Sequence, residues 1–111
     1  MSESISKKGS DMDYKKIFNV STIIPDLDAK TKYEVISTLV SLLEKKKKIS
    51  NKEEVLNEVI KREALLSTGF ENGIAMPHAV IRSLDKIVTS IARIPKGIDF
   101  VSHDKKPTYL V

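Results

Sequence analysis

Apolar residues recur with a helical period first along one stretch of this chain and then along another. Tyr33, Val35, Ile36, Leu39, Val40, Leu42 and Leu43 follow an i, i+3, i+4 spacing, which predicts an amphipathic helix burying a wide stripe. Asp28 is placed to cap its start, with a carboxylate that accepts from the first free N–H groups. Ser50-Asn51-Lys52-Glu53 reads as a capping box opening a second helix, with Val55, Leu56, Val59 and Ile60 as its apolar face and Arg62 and Glu63 near its end. Ahead of these, residues 17–25 form a short apolar lead-in that reads as a strand ended by Pro25. Beyond residue 78 the pattern changes to β. Residues 87–94 predict a strand followed by a Pro95-Lys96-Gly97 turn, and residues 107–111 read as the start of another strand. Residues 1–13, polar and rich in Ser and Lys, read as a flexible N-terminal tail, leaving 14–111 as one domain.

Composition narrows the function. The 111 residues contain no cysteine, which removes disulfides, thiolate metal sites and any cysteine nucleophile. Two histidines without cysteine or a tight acidic cluster make a poor metal site, so none is expected. No apolar run approaches the ~20 residues that cross a bilayer, and no signal-peptide core follows Met1, so membrane insertion is not expected and the protein reads as cytoplasmic. The net charge of +4 owes much to Lys45-Lys46-Lys47-Lys48. A lysine run at a helix end complements the helix dipole. No aromatic residues interleave with it, so nucleic acid is not the expected partner. A Gly-x-x-x-x-Gly-Lys-Ser/Thr phosphate loop is missing too, and neither ATP nor another cofactor is expected.

The chemistry concentrates in residues 62–78. The run Ser67-Thr68-Gly69-Phe70-Glu71-Asn72-Gly73-Ile74-Ala75-Met76-Pro77-His78 sets a histidine directly behind a glycine-bracketed turn and a proline. Gly69 and Gly73 permit positive φ and close approach, while Pro77 fixes its own φ and pushes Met76 toward an extended conformation. A neutral imidazole offers one unprotonated nitrogen as a nucleophile, selected by whatever the other nitrogen bonds. If a backbone carbonyl holds Nδ1–H, Nε2 faces outward. A guanidinium such as that of Arg62 suits phosphoryl oxygens, so histidine and arginine together are equipment for carrying a phosphoryl group. Glu63 either orients Arg62 or faces water. Ser67 and Thr68 either donate hydroxyl hydrogens to phosphoryl oxygens or serve as turn and cap residues. Phe70 is a candidate for a docking patch, Ile74 and Met76 are assigned to the core, and His103 is assigned to the surface.

Arg62-Glu63, Ser67-Thr68-Gly69 and Gly73-Ile74-Ala75-Met76-Pro77-His78 together resemble the signature of the fructose/mannitol-type Enzyme IIA domains of the bacterial phosphoenolpyruvate-dependent sugar phosphotransferase system, which the nitrogen-regulatory Enzyme IIA proteins share. The resemblance extends from about Ile23 to the end, including Asp28-Ala29-Lys30-Thr31-Lys32 and Gly97-Ile98-Asp99-Phe100. It implies an α/β fold with a mixed sheet flanked by helices. It further implies a phosphotransferase component that accepts a phosphoryl group on His78 from an HPr-type phosphocarrier and passes it to the cysteine of an Enzyme IIB. A chain without cysteine cannot itself be an Enzyme IIB of that kind. The regulatory alternative uses the same histidine to control target proteins by phosphorylation-dependent binding. A third alternative is a fragment that binds without transferring. The resemblance also implies further strand and helix beyond Val111, with a second active-site histidine that no residue here matches, so the domain reads as C-terminally incomplete with an unpaired edge at Val111.

Overall fold

The computed structural model describes residues 14–111; the expected N-terminal tail, 1–13, lies outside the described residues. Helix α2, Lys32–Lys45, begins where the Thr31 hydroxyl accepts from the Glu34 amide at 3.2 Å, while the Glu34 carboxylate reaches back to the Lys30 amide at 2.6 Å. Thr31, not Asp28, is therefore the cap. Asp28 comes three residues too early, and Thr31 with Glu34 already satisfies the free amides of the first turn. Val35, Ile36, Leu39, Val40 and Leu43 form the buried stripe, whereas Tyr33 stays exposed.

Helix α3, Lys52–Leu65, also starts one residue later than the expected box. Asn51 Oδ1 accepts from the Glu54 amide at 3.1 Å, and the Glu54 carboxylate accepts from the Ser83 hydroxyl at 2.7 Å instead of closing the box. Asn51→Ala is expected to cost about 1 kcal/mol of stability, the usual loss for an N-cap, measured as a lowered urea midpoint at unchanged slope.

The lead-in before these helices is not one strand. It folds as a short helix, α1 (Tyr14–Ile17), a 3-10 turn (Val20–Thr22) and a two-residue strand, β1 (Ile23–Ile24). Asn19 explains the interruption: its side chain accepts from the Ser21 amide and its carbonyl from the Thr22 amide, which turns the chain.

Strand β2, Ile91–Ile98, runs straight through the expected Pro95-Lys96-Gly97 turn. Its pairing with β3 (Thr108–Leu110) jumps from Arg93↔Leu110 to Ile98↔Thr108, so the segment carrying Pro95 and Gly97 bulges out of the ladder. A bulge needs no ladder N–H from proline and welcomes Gly97 at φ +75. The expected strand residues 87–90 precede β2 as irregular backbone. There the Thr89 and Ser90 hydroxyls bond the carbonyls of Ile17 and Leu39.

β1 pairs parallel to β2 and β3 pairs antiparallel to it, in the order β1-β2-β3, so the sheet is mixed as expected. α2 packs on β2, and α3 packs on α2. Between these layers Ile36 and Val35 meet Ala92, Ile94 and Phe100, all essentially without exposure. Val111 is not an unpaired edge. Its amide and carbonyl both bond Ala92, at 3.0 and 2.9 Å, and its side chain is buried. Among the described residues no helix is long and apolar enough to cross a membrane.

Candidate functional site

The loop carrying His78 is bound to the sheet like an additional strand. Asn72 and Gly73, both at positive φ, make the tight Asn-Gly reversal that right-twisted strands favour. Around them Gly69 bridges Ala75, the Phe70 amide bonds Ile74 O at 2.7 Å, and the Met76 amide bonds Thr68 O at 3.1 Å. The hairpin then docks on β3. Ala75 N–H donates to Leu110 O at 2.9 Å, and Gly73 O accepts from the amides of Tyr109 and Leu110.

Gly69 is buried, and a Cβ there would lie 2.5 Å from Ser102 Oγ and 2.9 Å from Ser102 Cα. One of those contacts is backbone, so the loop must shift to admit a methyl. Gly69→Ala is expected to destabilise by about 1–3 kcal/mol, the usual range for overpacking, read as a lowered thermal midpoint.

At the end of the hairpin His78 is exposed. Its Nδ1 lies 2.8 Å from Met76 O. A carbonyl only accepts, so Nδ1 carries the hydrogen, and in the neutral ring Nε2 then holds the lone pair. Pro77, between the two bonded residues, keeps that short ring of atoms stiff.

The other expected site residues divide. The Arg62 guanidinium donates through Nη1 to Leu66 O at 2.8 Å, just past the end of its own helix, and no hydrogen bond joins it to His78. Glu63 neither orients Arg62 nor faces water. Its side chain is fully buried and accepts from Lys32 Nζ (3.1 Å), the Thr68 amide (3.0 Å) and the Thr68 hydroxyl (2.7 Å). Burial pushes the Glu63 carboxyl up, but the two Thr68 hydrogen bonds and Lys32 outweigh it and hold it below the ordinary value of 4.5. The Ser67 hydroxyl donates to Phe100 O at 2.6 Å and accepts from the Gly69 amide at 3.1 Å. The hydroxyl hydrogens of Ser67 and Thr68, read as meeting phosphoryl oxygens or as serving turn and cap roles, thus bond Phe100 O and the Glu63 carboxylate in this structure.

Ile74 and Met76 are not core residues: they are 39% and 57% exposed, beside Phe70 at 44%. Alternation explains it, since buried Ala75 between them faces the core. Phe70 packs edge-on against exposed His103, with ring centroids 6.3 Å apart.

Lys32 is the participant that the sequence left without a role. Its side chain is 13% exposed, and its ammonium lies 5.4 and 5.5 Å from the ring centroids of Tyr33 and Phe100. The signal was present, because Glu63 continues the i, i+4 line of Val55 and Val59 into the core, and a carboxylate there needs a partner.

Fold and loop together define a small α/β domain that displays one exposed histidine on a clamped turn. A family model described as "Phosphoenolpyruvate-dependent sugar phosphotransferase system, EIIA 2" matches residues 16–111, and the chain belongs to that family. It is 33% identical over 90 residues to a fructose-specific EIIABC component of Bacillus subtilis, covering 81% of this chain and 14% of that protein. It is 30% identical over 101 residues to a fructose-specific EIIA component of Haloferax volcanii, covering 86% of this chain and 66% of that one. Among solved structures, the nitrogen regulatory protein IIA-Ntr from Neisseria meningitidis matches with a TM-score of 0.78 at 26% identity, over 86% of this chain and 64% of that one. The chain thus spans a seventh of the first relative and just under two thirds of the other two.

Proposed function

We propose that this chain is a phosphocarrier in which His78 Nε2 accepts a phosphoryl group from an HPr-type protein and passes it to the cysteine of an Enzyme IIB. The observation that carries this reading is the Nδ1–H bond to Met76 O, which leaves a lone pair on Nε2 at an exposed position. In the first step the Nε2 lone pair forms the new N–P bond while the donor's N–P bond breaks and its electron pair returns to the donor imidazole. In the second, a cysteine thiolate forms an S–P bond and the pair returns to His78 Nε2. Nδ1 keeps its hydrogen throughout.

Arg62 is the proposed phosphoryl stabiliser. Only one of its guanidinium N–H groups is bound to Leu66 O, and the others remain to meet the phosphoryl oxygens. Exposed Phe70, Ile74 and Met76, on the hairpin that leads into the histidine, suit transient docking of protein partners. All of this would take place in the cytoplasm.

The test is intact mass after incubation with phosphoenolpyruvate, Enzyme I and HPr, followed by addition of a fructose-type Enzyme IIB. One acid-labile phosphoryl adduct that the Enzyme IIB then discharges is the expected result. An adduct that Enzyme IIB leaves in place would favour the regulatory reading, which the likeness to the Neisseria nitrogen regulatory protein also supports. Absence of any adduct would remove both.

A further inference from the structure

We propose that the buried Lys32–Glu63–Thr68 cluster is the positioning device of the acceptor histidine, fixing which ring nitrogen of His78 is free. The proposal rests on His78 being the acceptor, and the bonds that support it form one unbroken path. Lys32 Nζ donates to Glu63, and Glu63 accepts both the amide and the hydroxyl of Thr68. Thr68 O accepts from the Met76 amide, and Met76 O accepts from His78 Nδ1–H. Met76 is therefore held at its amide by Thr68 while its carbonyl holds the imidazole. Pro77 restricts the backbone of Met76, so the direction of the Met76 amide sets where its carbonyl points. Movement of Thr68 is transmitted to the imidazole.

The choice of residues fits a positioning role better than plain cohesion. An apolar side chain at 63 would continue the buried stripe of α3, and replacing a buried ion pair by apolar residues is often neutral or stabilising. Only a carboxylate accepts from the Thr68 amide and hydroxyl at once while also holding the Lys32 ammonium. Those bonds fasten three separated segments at one point: the first turn of α2, the last turn of α3 and the start of the acceptor loop.

The experiment uses Glu63→Gln and Thr68→Val, with Thr68→Ser as the conservative rescue and Leu43→Ala as a core variant far from the path. Two quantities are read well below each variant's melting temperature. One is the tautomer of His78, from imidazole nitrogen shifts at a pH where the ring is neutral. The other is the rate of phosphoryl transfer from HPr. In the wild type His78 is expected as the Nδ1–H tautomer alone. Glu63→Gln and Thr68→Val are expected to give a tautomer mixture and a transfer rate about 10- to 100-fold lower, the scale of a small misplacement of reacting groups. Thr68→Ser restores both, and Leu43→Ala lowers the melting temperature without moving the tautomer.

If Glu63→Gln does not fold, Thr68→Val alone decides. An unchanged tautomer and rate in Thr68→Val would overturn the proposal and leave the cluster with a structural role only. The tautomer readout needs no phosphate. A wild type that takes no phosphoryl group while its tautomer still responds to Thr68→Val would sink the relay and keep the positioning.

Discussion

His78→Ala is expected to abolish phosphorylation of this chain by phosphoenolpyruvate, Enzyme I and HPr, while His103→Ala leaves the adduct in place. The contrast is large because transfer requires a lone pair on a presented nitrogen, which alanine lacks. His78 is exposed and its ring makes a single hydrogen bond, to Met76 O, so its removal should change stability by no more than ~0.5 kcal/mol. The fold is then a built-in control. Intact mass spectrometry before and after mild acid reads the adduct, and a melting curve reads the fold. An adduct that persists on a folded His78→Ala protein would place the acceptor elsewhere.

The largest stability effect is expected at Glu63. Glu63→Ala leaves the Lys32 ammonium and the Thr68 amide and hydroxyl without their acceptor, inside a region where the carboxylate has no exposure. Removing one partner of a buried pair costs about 3–5 kcal/mol, a large share of the ~5–15 kcal/mol that holds a small domain folded. Urea unfolding measures the loss directly, and a loss below ~1 kcal/mol would contradict the burial and bonding described for Glu63.

The same carboxyl predicts how stability depends on pH. Its folded-state value lies below the ordinary 4.5, so the folded protein binds this proton less readily than the unfolded chain. The stabilisation is complete above the ordinary value and is lost as pH falls through the lowered folded-state one. The thermal midpoint of the wild type should drop over that acidic window, whereas that of Glu63→Ala, already low, should drop less.

Much of this architecture was legible in the sequence because the local signals agree with one another. The α2 stripe from Val35 to Leu43, the glycine-bracketed turn ahead of His78 and the short strand at Thr108 each rest on periodicity or turn chemistry that tertiary context leaves alone. The failures have a common origin. Asp28, Ser50 and Glu53 are competent cap residues displaced by neighbours one to three positions on, a competition that only the folded backbone decides. Pro95-Lys96-Gly97 carries every mark of a turn, yet pairing on either side of it pulls the segment into a strand as a bulge. At the site, the position of His78 was readable from its proline and glycines. The partners of Ser67 and Glu63 were not, because Phe100 and Lys32 lie about thirty residues away along the chain, and the bonds of Thr68 to Glu63 depend on how the chain turns between them.

The bonding of the His78 hairpin to β3 has a consequence for the proposed phosphoryl relay. Amides such as Ala75 and Leu110, which join loop to sheet, should resist hydrogen exchange together, as one cooperative unit with the strand. A recognition loop that is already ordered gives up little conformational freedom when another protein arrives. It need not refold between successive visitors either. In the relay proposed for it, such a surface would meet a donor and a recipient in quick succession, with its dwell times governed by the exposed side chains rather than by any rearrangement of the chain beneath them.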